Sequence, residues 1–264
     1  MKKICSLSFL FVILFCSLNS YAQVKKKTAK KPITTKSKAT VKPKPAATLT
    51  TKKIAGSKIK ITTDFGEIIV RLYDKTPRHR DNFIKLVNAH FYDSLLFHRV
   101  INGFMIQGGD PKSKNAPPNI LLGDGDIGYM VPAEFDTTLY HKKGALAAAR
   151  NGNPEKASSG CQFYIVQGKK YTDEELNMIE MQNGIHFSPA KRMTYKMLGG
   201  TPMLDMNYTV FGEVVSGLDV VDKIATAQRD GNNRPFTDIH MKMELLNDPR
   251  NKMEIIEPPK ENRP

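Results

Sequence analysis

The chain has 264 residues, 40 Lys and Arg against 26 Asp and Glu, a formal net charge of +14, and only three cysteines. So few cysteines exclude a disulfide-stapled scaffold, and six scattered histidines with no His-Glu-x-x-His pair exclude the familiar zinc-hydrolase pattern. Lys2, Lys3 and eleven lysines between Lys25 and Lys53 carry nearly all the charge and leave about +1 after Gly56, which argues against a basic nucleic-acid-binding domain.

Residues 1–22 read as an export signal. Lys2 and Lys3 form a positive start, Phe9 to Leu18 is mostly apolar, and Ser20-Tyr21-Ala22 forms a small-residue cleavage site before Gln23. The apolar run is too short for a membrane span. Cys16 raises lipid anchoring as a second reading, but Phe15 suits that processing poorly. The expected location is therefore periplasmic or secreted, and the mature chain keeps only Cys161. Residues 23–56 hold Lys, Thr, Pro and Ala with no acid, so they cannot bury enough apolar surface to offset ordering entropy and read as a disordered linker. A solubilising spacer is its plainest role. Weak contact with an anionic envelope surface comes next, and nucleic acid is not expected.

Residues 57–247 suit one domain with a sizeable core, followed by a polar tail at 248–264. Lys58 to Thr63 and Glu67 to Tyr73 alternate as hairpin strands around Asp64-Phe65-Gly66. Thr76-Pro77 predicts an N-cap and first turn, with Phe83, Leu86, Val87, His90 and Phe91 on one apolar stripe and His90 packed among them. The run from Phe97 to Pro111 predicts two short strands around the turn Asn102-Gly103. Alternation puts Phe104 and Ile106 on one face and Met105 and Gln107 on the other, with Arg99 on the partner strand. Residues 110–128, rich in Gly, Asp, Asn and Pro, read as a surface loop without the closing glutamate of a calcium loop. Small side chains from Ala147 to Ala149 leave room for a ligand backbone beside the strand that continues through Gln162 and Tyr164. Residues 170–203 predict an inserted helical pair: a capping box at Thr172-Asp173-Glu174-Glu175, then Ser188-Pro189 starting a helix that ends at Gly199-Gly200. A helix over Gly217 to Ala225 and a strand over Asp238 to Leu245 complete the domain.

The stretch F-H-R-V-I-N-G-F-M-I-Q-G-G-D-P, residues 97–111, is similar to the signature of the cyclophilin family of peptidyl-prolyl cis/trans isomerases. G-A-L-A-A-A-R at 144–150, G-C-Q-F-Y-I at 160–165 and L-D-M-N-Y-T-V-F-G at 204–212 resemble further family segments. The resemblance implies a mainly β fold, a closed eight-stranded antiparallel β-barrel capped by two α-helices. Pattern alone supports an antiparallel barrel or sandwich with a few helices. By the same resemblance Arg99 and Gln107 are catalytic. Phe104, Met105, Ala149, Arg150, Gln162, Tyr164, Leu204 and Tyr208 bind substrate. Three of these differ from the common pattern: Tyr164 stands for a phenylalanine, Arg150 for an asparagine that pairs through its backbone, and Tyr208 for a histidine. Met203 takes the place of a tryptophan found in many members, which argues against tight cyclosporin binding.

Rotation about an X-Pro bond must break amide resonance, against a barrier of roughly 18–20 kcal/mol. A site that favours the twisted amide suffices, so no covalent step, metal or cofactor is expected. Arg99 can donate toward the prolyl nitrogen as its lone pair returns, with a charge that does not titrate near neutrality. Phe104, Met105, Tyr164 and Leu204 hold the proline ring, and Gln107 and Gln162 grip the flanking backbone. The expected protein is a monomer that accelerates X-Pro rotation in proline-containing exported polypeptides and so assists their folding. The alternative is a proline-peptide-binding module or chaperone with little turnover.

Overall fold

The computed structural model describes residues 56–246. The expected export signal, the lysine-rich linker up to residue 55 and the tail from 248 lie outside the described residues. Strands β1 (Lys58–Thr63) and β2 (Gly66–Leu72) pair antiparallel, with Ile61 opposite Ile68 and Ile59 opposite Val70. That register puts the four branched side chains on one buried face.

Helix α1 (Pro77–Asn88) starts with proline in its first turn, but Thr76 makes no side-chain cap. The Glu134 carboxylate, from a distant loop, accepts the backbone N–H of Arg78 and of His79, each at 3.0 Å. An anion there satisfies two orphan donors and suits the positive end of the helix. Phe83, Leu86 and Val87 bury as the stripe predicts. His90 does not: it lies beyond the helix end at φ 54°, with its side chain 75% exposed beside Asp93. The helix ends at Asn88 with Ala89 as its cap, so the 3.6-residue period does not reach residue 90.

The remaining strands are β3 (Leu95–Leu96), β4 (Arg99–Ile101), β5 (Met105–Gly108), β6 (Met130–Val131), β7 (Ala145–Ala148), β8 (Ser158–Ser159), β9 (Phe163–Val166), β10 (Val210–Ser216) and β11 (His240–Leu246). Nine of the eleven strands among the described residues form one antiparallel sheet in the order β3-β11-β1-β2-β10-β7-β9-β5-β4, and β6 pairs with β8. The two ends of that order, β3 and β4, are separated in the chain only by Phe97 and His98. Counted as one interrupted strand they give eight, and the sheet begins and ends on the same stretch of chain, which fits the expected barrel. Inside, the Phe163 ring meets Phe83 at 5.5 Å, Tyr92 at 5.6 Å and Phe97 at 6.1 Å, all edge-on. Helix α4 (Leu218–Ala225) buries Val220, Val221, Ile224 and Ala225 against β2, β4 and β5, and α1 packs on β10 and β11.

Helices α2 (Asp173–Asn183) and α3 (Pro189–Met197) occupy the insertion. Thr172 and Glu175 form the reciprocal capping box, and Ser188 accepts the Lys191 backbone N–H. Tyr171, Leu176, Phe187 and Tyr195 give the pair a small core of its own. Arg192 ties the two helices through Glu180, Asn177 and Asp173. A 3-10 turn, Pro202–Leu204, then returns the chain to the barrel. No helix among the described residues is long and apolar enough to cross a membrane.

Candidate active site

β4 and β5 pair so that Arg99 faces Gln107 and Ile101 faces Met105 across the turn at Asn102-Gly103. Gly103 takes φ 76°, the left-handed conformation the Asn-Gly signal predicted. One face assignment needs correction. Ile106 enters the barrel core, whereas Phe104 joins Met105 in a separate apolar cluster with Ala147, Ala149, Tyr164, Leu204 and Tyr208. Phe104 precedes the strand, so strand alternation does not govern its direction.

A cavity of about 110 Å³ opens on this cluster, lined by Arg99, Phe104, Met105, Gln107, Ala149, Arg150, Tyr164, Leu204 and Tyr208. It offers the space of about four waters, which suits one small ring. The nine residues come from β4, β5, β7–β9 connections and the turn after the insertion, so only the folded sheet assembles them. Met203 is absent from the lining and lies 37% exposed.

A line of polar side chains runs from the mouth of this pocket. Arg99 donates to Gln107 Oε1 at 3.1 Å, and Gln107 donates to Gln162 Oε1 at 3.1 Å. Gln162 in turn donates to the Gly123 carbonyl at 3.0 Å and the Gly125 carbonyl at 2.7 Å. Both Gln162 N–H donors are therefore engaged by the protein, and its geometry is that of an anchor for Gln107. Gln107 retains one N–H and one lone pair, and Arg99 has no carboxylate partner among the described residues. Burial lowers the Arg99 pKa from its usual value, but the guanidinium remains charged.

The pocket walls carry two aromatic substitutions. Tyr164 and Tyr208 meet edge to face at 5.9 Å. The Arg150 guanidinium lies 4.7 Å from the Tyr208 ring centre and donates to the Asn207 carbonyl at 2.8 Å. Of the small residues at 147–149 only Ala149 lines the cavity, because Ala147 is fully buried beneath it and Ala148 faces the barrel core.

The loop expected to lie on the surface is partly structural. Asp110, fully buried, accepts the backbone N–H of Lys112 at 2.7 Å and of Gly123 at 2.5 Å, which fixes the carbonyls that Gln162 needs. With Asp126, Gly128, Tyr129 and Met130 this loop forms one wall of a second cavity of about 370 Å³ next to Gln107, Ala149 and Arg150. Sequence reasoning missed this wall, and it also missed His141 and Asp205 behind Tyr164. The hydroxyl that distinguishes Tyr164 from phenylalanine was the available signal.

The barrel and a small apolar pocket served by one arginine and two carboxamides define a non-covalent peptide site. The chain belongs to the cyclophilin family: residues 58–244 match the family model described as cyclophilin type peptidyl-prolyl cis-trans isomerase/CLD. A Staphylococcus haemolyticus protein named as a peptidyl-prolyl cis-trans isomerase is 32% identical over 191 residues, covering 71% of this chain and 91% of its own length. A Streptococcus pyogenes protein named as a bifunctional phosphatase and isomerase is 35% identical over 189 residues. That alignment covers 70% of this chain but only 37% of the streptococcal protein. Among solved structures, a Cryptosporidium parvum cyclophilin superposes with TM-score 0.53 at 21% identity, covering 74% of this chain and 99% of that one. The same parasite protein in the presence of the dipeptide Ala-Pro gives TM-score 0.52, covering 72% of this chain and 99% of that one.

Proposed function

We propose that this chain accelerates cis/trans rotation of X-Pro bonds in exported polypeptides. The observation that carries the reading is Arg99, half-buried and held by Gln107 at the mouth of a pocket that fits one ring. The proline ring enters between Phe104, Met105, Leu204 and the two tyrosines. As the amide twists, resonance is lost and the prolyl nitrogen regains a lone pair. Arg99 donates to it more strongly than to the planar amide, which is differential binding of the transition state. Gln107 fixes the guanidinium through its carbonyl, and Gln162 fixes Gln107. The free N–H of Gln107 and the backbone around Ala149 and Arg150 take the flanking peptide.

Export rests on the signal-like residues 1–22, and the lysine-rich segment that follows serves as a solubilising spacer. The test is NMR exchange on an Ala-Xaa-Pro-Phe peptide with the full chain. Catalytic amounts speed cis-to-trans exchange. Binding without acceleration overturns the isomerase and leaves a proline-recognition module.

A further inference from the structure

Behind the pocket, on the side away from the substrate, lies a buried relay that no part of the isomerase mechanism requires. The Tyr164 hydroxyl is 2.9 Å from His141 Nε2. His141 Nδ1 is 2.9 Å from Asp205 Oδ1, and the same oxygen accepts the His141 backbone N–H at 2.9 Å. Asp205 Oδ2 accepts the Tyr195 hydroxyl at 2.8 Å and the Lys191 ammonium at 3.3 Å. His141 and Asp205 side chains are 1% and 2% exposed, and Tyr195 is fully buried. Tyr195 and Lys191 both belong to α3, so the relay runs from the inserted helices to the wall of the proline pocket.

The Asp205 carboxylate fixes the direction of the bonds it takes part in. Burial alone would raise the Asp205 carboxyl, but hydrogen bonds and charge from His141 and Lys191 outweigh it and hold it below its ordinary value. As a carboxylate it only accepts, so His141 Nδ1 carries a proton. The Tyr164 hydroxyl can donate to a neutral Nε2 or accept from a protonated one, so the bond anchors the ring in either state of His141. The imidazole also lies nearly parallel to the Tyr164 ring, 12° between planes and 6.0 Å between centres. The hydroxyl therefore points out of the pocket and the ring keeps an apolar face toward it. Without the relay a buried hydroxyl has no partner, at a cost the ring meets by turning or by admitting water beside the proline.

We infer that His141, Asp205 and Tyr195 are positioning residues for the proline pocket, and that the inserted helices brace its wall through the Tyr164 hydroxyl. This rests on the proline-site reading above, and the measurement separates the two. Six forms of the full chain are compared: the parent, His141→Leu, Tyr195→Phe and Tyr164→Phe, and each of the first two changes combined with Tyr164→Phe, each checked for fold by far-UV circular dichroism and for stability by urea. Both peptide turnover and peptide Kd by chemical-shift titration are read.

His141→Leu raises KM and peptide Kd about tenfold with kcat little changed, since ring contact serves ground and transition states alike. In the Tyr164→Phe background the same change costs less than about twofold, because no hydroxyl is left to orient. Tyr195→Phe, which deletes only the insertion's hydroxyl, gives a smaller rise of about threefold that also vanishes in the Tyr164→Phe background. Equal losses in both backgrounds overturn the proposal, as does a His141→Leu protein that unfolds more easily but binds peptide like the parent. If His141→Leu does not fold, the Tyr195→Phe pair decides by the same comparison. A parent that binds peptide without turnover defeats the isomerase, yet the coupling in Kd still decides the relay.

Discussion

Arg99→Ala tests the catalytic account most directly. The guanidinium makes one side-chain hydrogen bond, to Gln107, and pairs with no carboxylate among the described residues. Its removal unpairs only a half-buried carboxamide oxygen, so folding stability falls by less than about 1 kcal/mol. In the twisted amide it supplies a charge-assisted donor at the mouth of the pocket, held in line by Gln107. Loss of a donor of this kind costs about 3–4 kcal/mol of transition-state stabilisation, or roughly 10²- to 10³-fold in kcat/KM. Arg99→Lys keeps the charge but not the planar fork that reaches Gln107 and substrate together, so it recovers about a tenth of parental activity at most. The assay is two-dimensional NMR exchange of an Ala-Xaa-Pro-Phe peptide, with urea unfolding as the control. A folded Arg99→Ala protein within about threefold of the parent refutes the role given to this donor.

Gln162→Leu removes the anchor of Gln107 and orphans two loop carbonyls, so both urea midpoint and kcat/KM fall, the first by about 2 kcal/mol in stability. Unchanged turnover would place Gln107 outside the mechanism. Phe163→Ala deletes the ring shared by Phe83, Tyr92 and Phe97 and costs about 3–5 kcal/mol by denaturant unfolding, while the folded remainder keeps its kcat. His98, 2% exposed with neither ring nitrogen bonded, has its pKa pushed down by burial to about 4. The unfolded chain takes up this proton near pH 6.5 and the folded chain only near about 4, so stability declines as pH falls through that window by roughly 3 kcal/mol and then levels. His98→Leu flattens the urea midpoint between about pH 7 and 4. Glu134 and Asp205, held below their ordinary carboxylate values, add their own loss only at lower pH.

The hairpin from Arg99 to Gln107 was legible because its signals are local: an Asn-Gly turn, a two-residue period and a dense motif. The same holds for the caps of the inserted helices, where Thr172 and Glu175 sit three residues apart. What stayed hidden is long-range. Glu134 caps α1 from 55 residues away or more, and Asp110 organises the loop at Gly123 only because folding buries its carboxylate. His90 was misplaced because a periodic stripe does not announce where the helix ends. Asp205 stands within a matching segment, yet its four side-chain hydrogen bonds come from residues 141, 191 and 195, and no spacing predicts that convergence.

Geometry alone does not name a reaction, and a second site in this molecule shows why access must be weighed with it. Ser158, His79 and Glu134 have the connectivity of a nucleophile, base and orienting acid: His79 Nε2 is 3.0 Å from Ser158 Oγ, and Nδ1 is 2.7 Å from Glu134. Ser158 is fully buried in β8, and the cavity touching His79 holds about 10 Å³, scarcely one water. No carbonyl carbon can reach that oxygen. Its hydrogen bonds instead pin β8 and the Glu134 loop to the start of α1, which shapes the far wall of the groove. Cys161, the one thiol among the described residues, is likewise disarmed, since burial pushes its pKa up to about 11 and leaves it protonated at neutral pH. The non-aromatic polar side chains that line the small apolar pocket are Arg99, Gln107 and Arg150, none of them a nucleophile. A site furnished that way acts through hydrogen bonds and shape, which is what rotation about an amide bond requires.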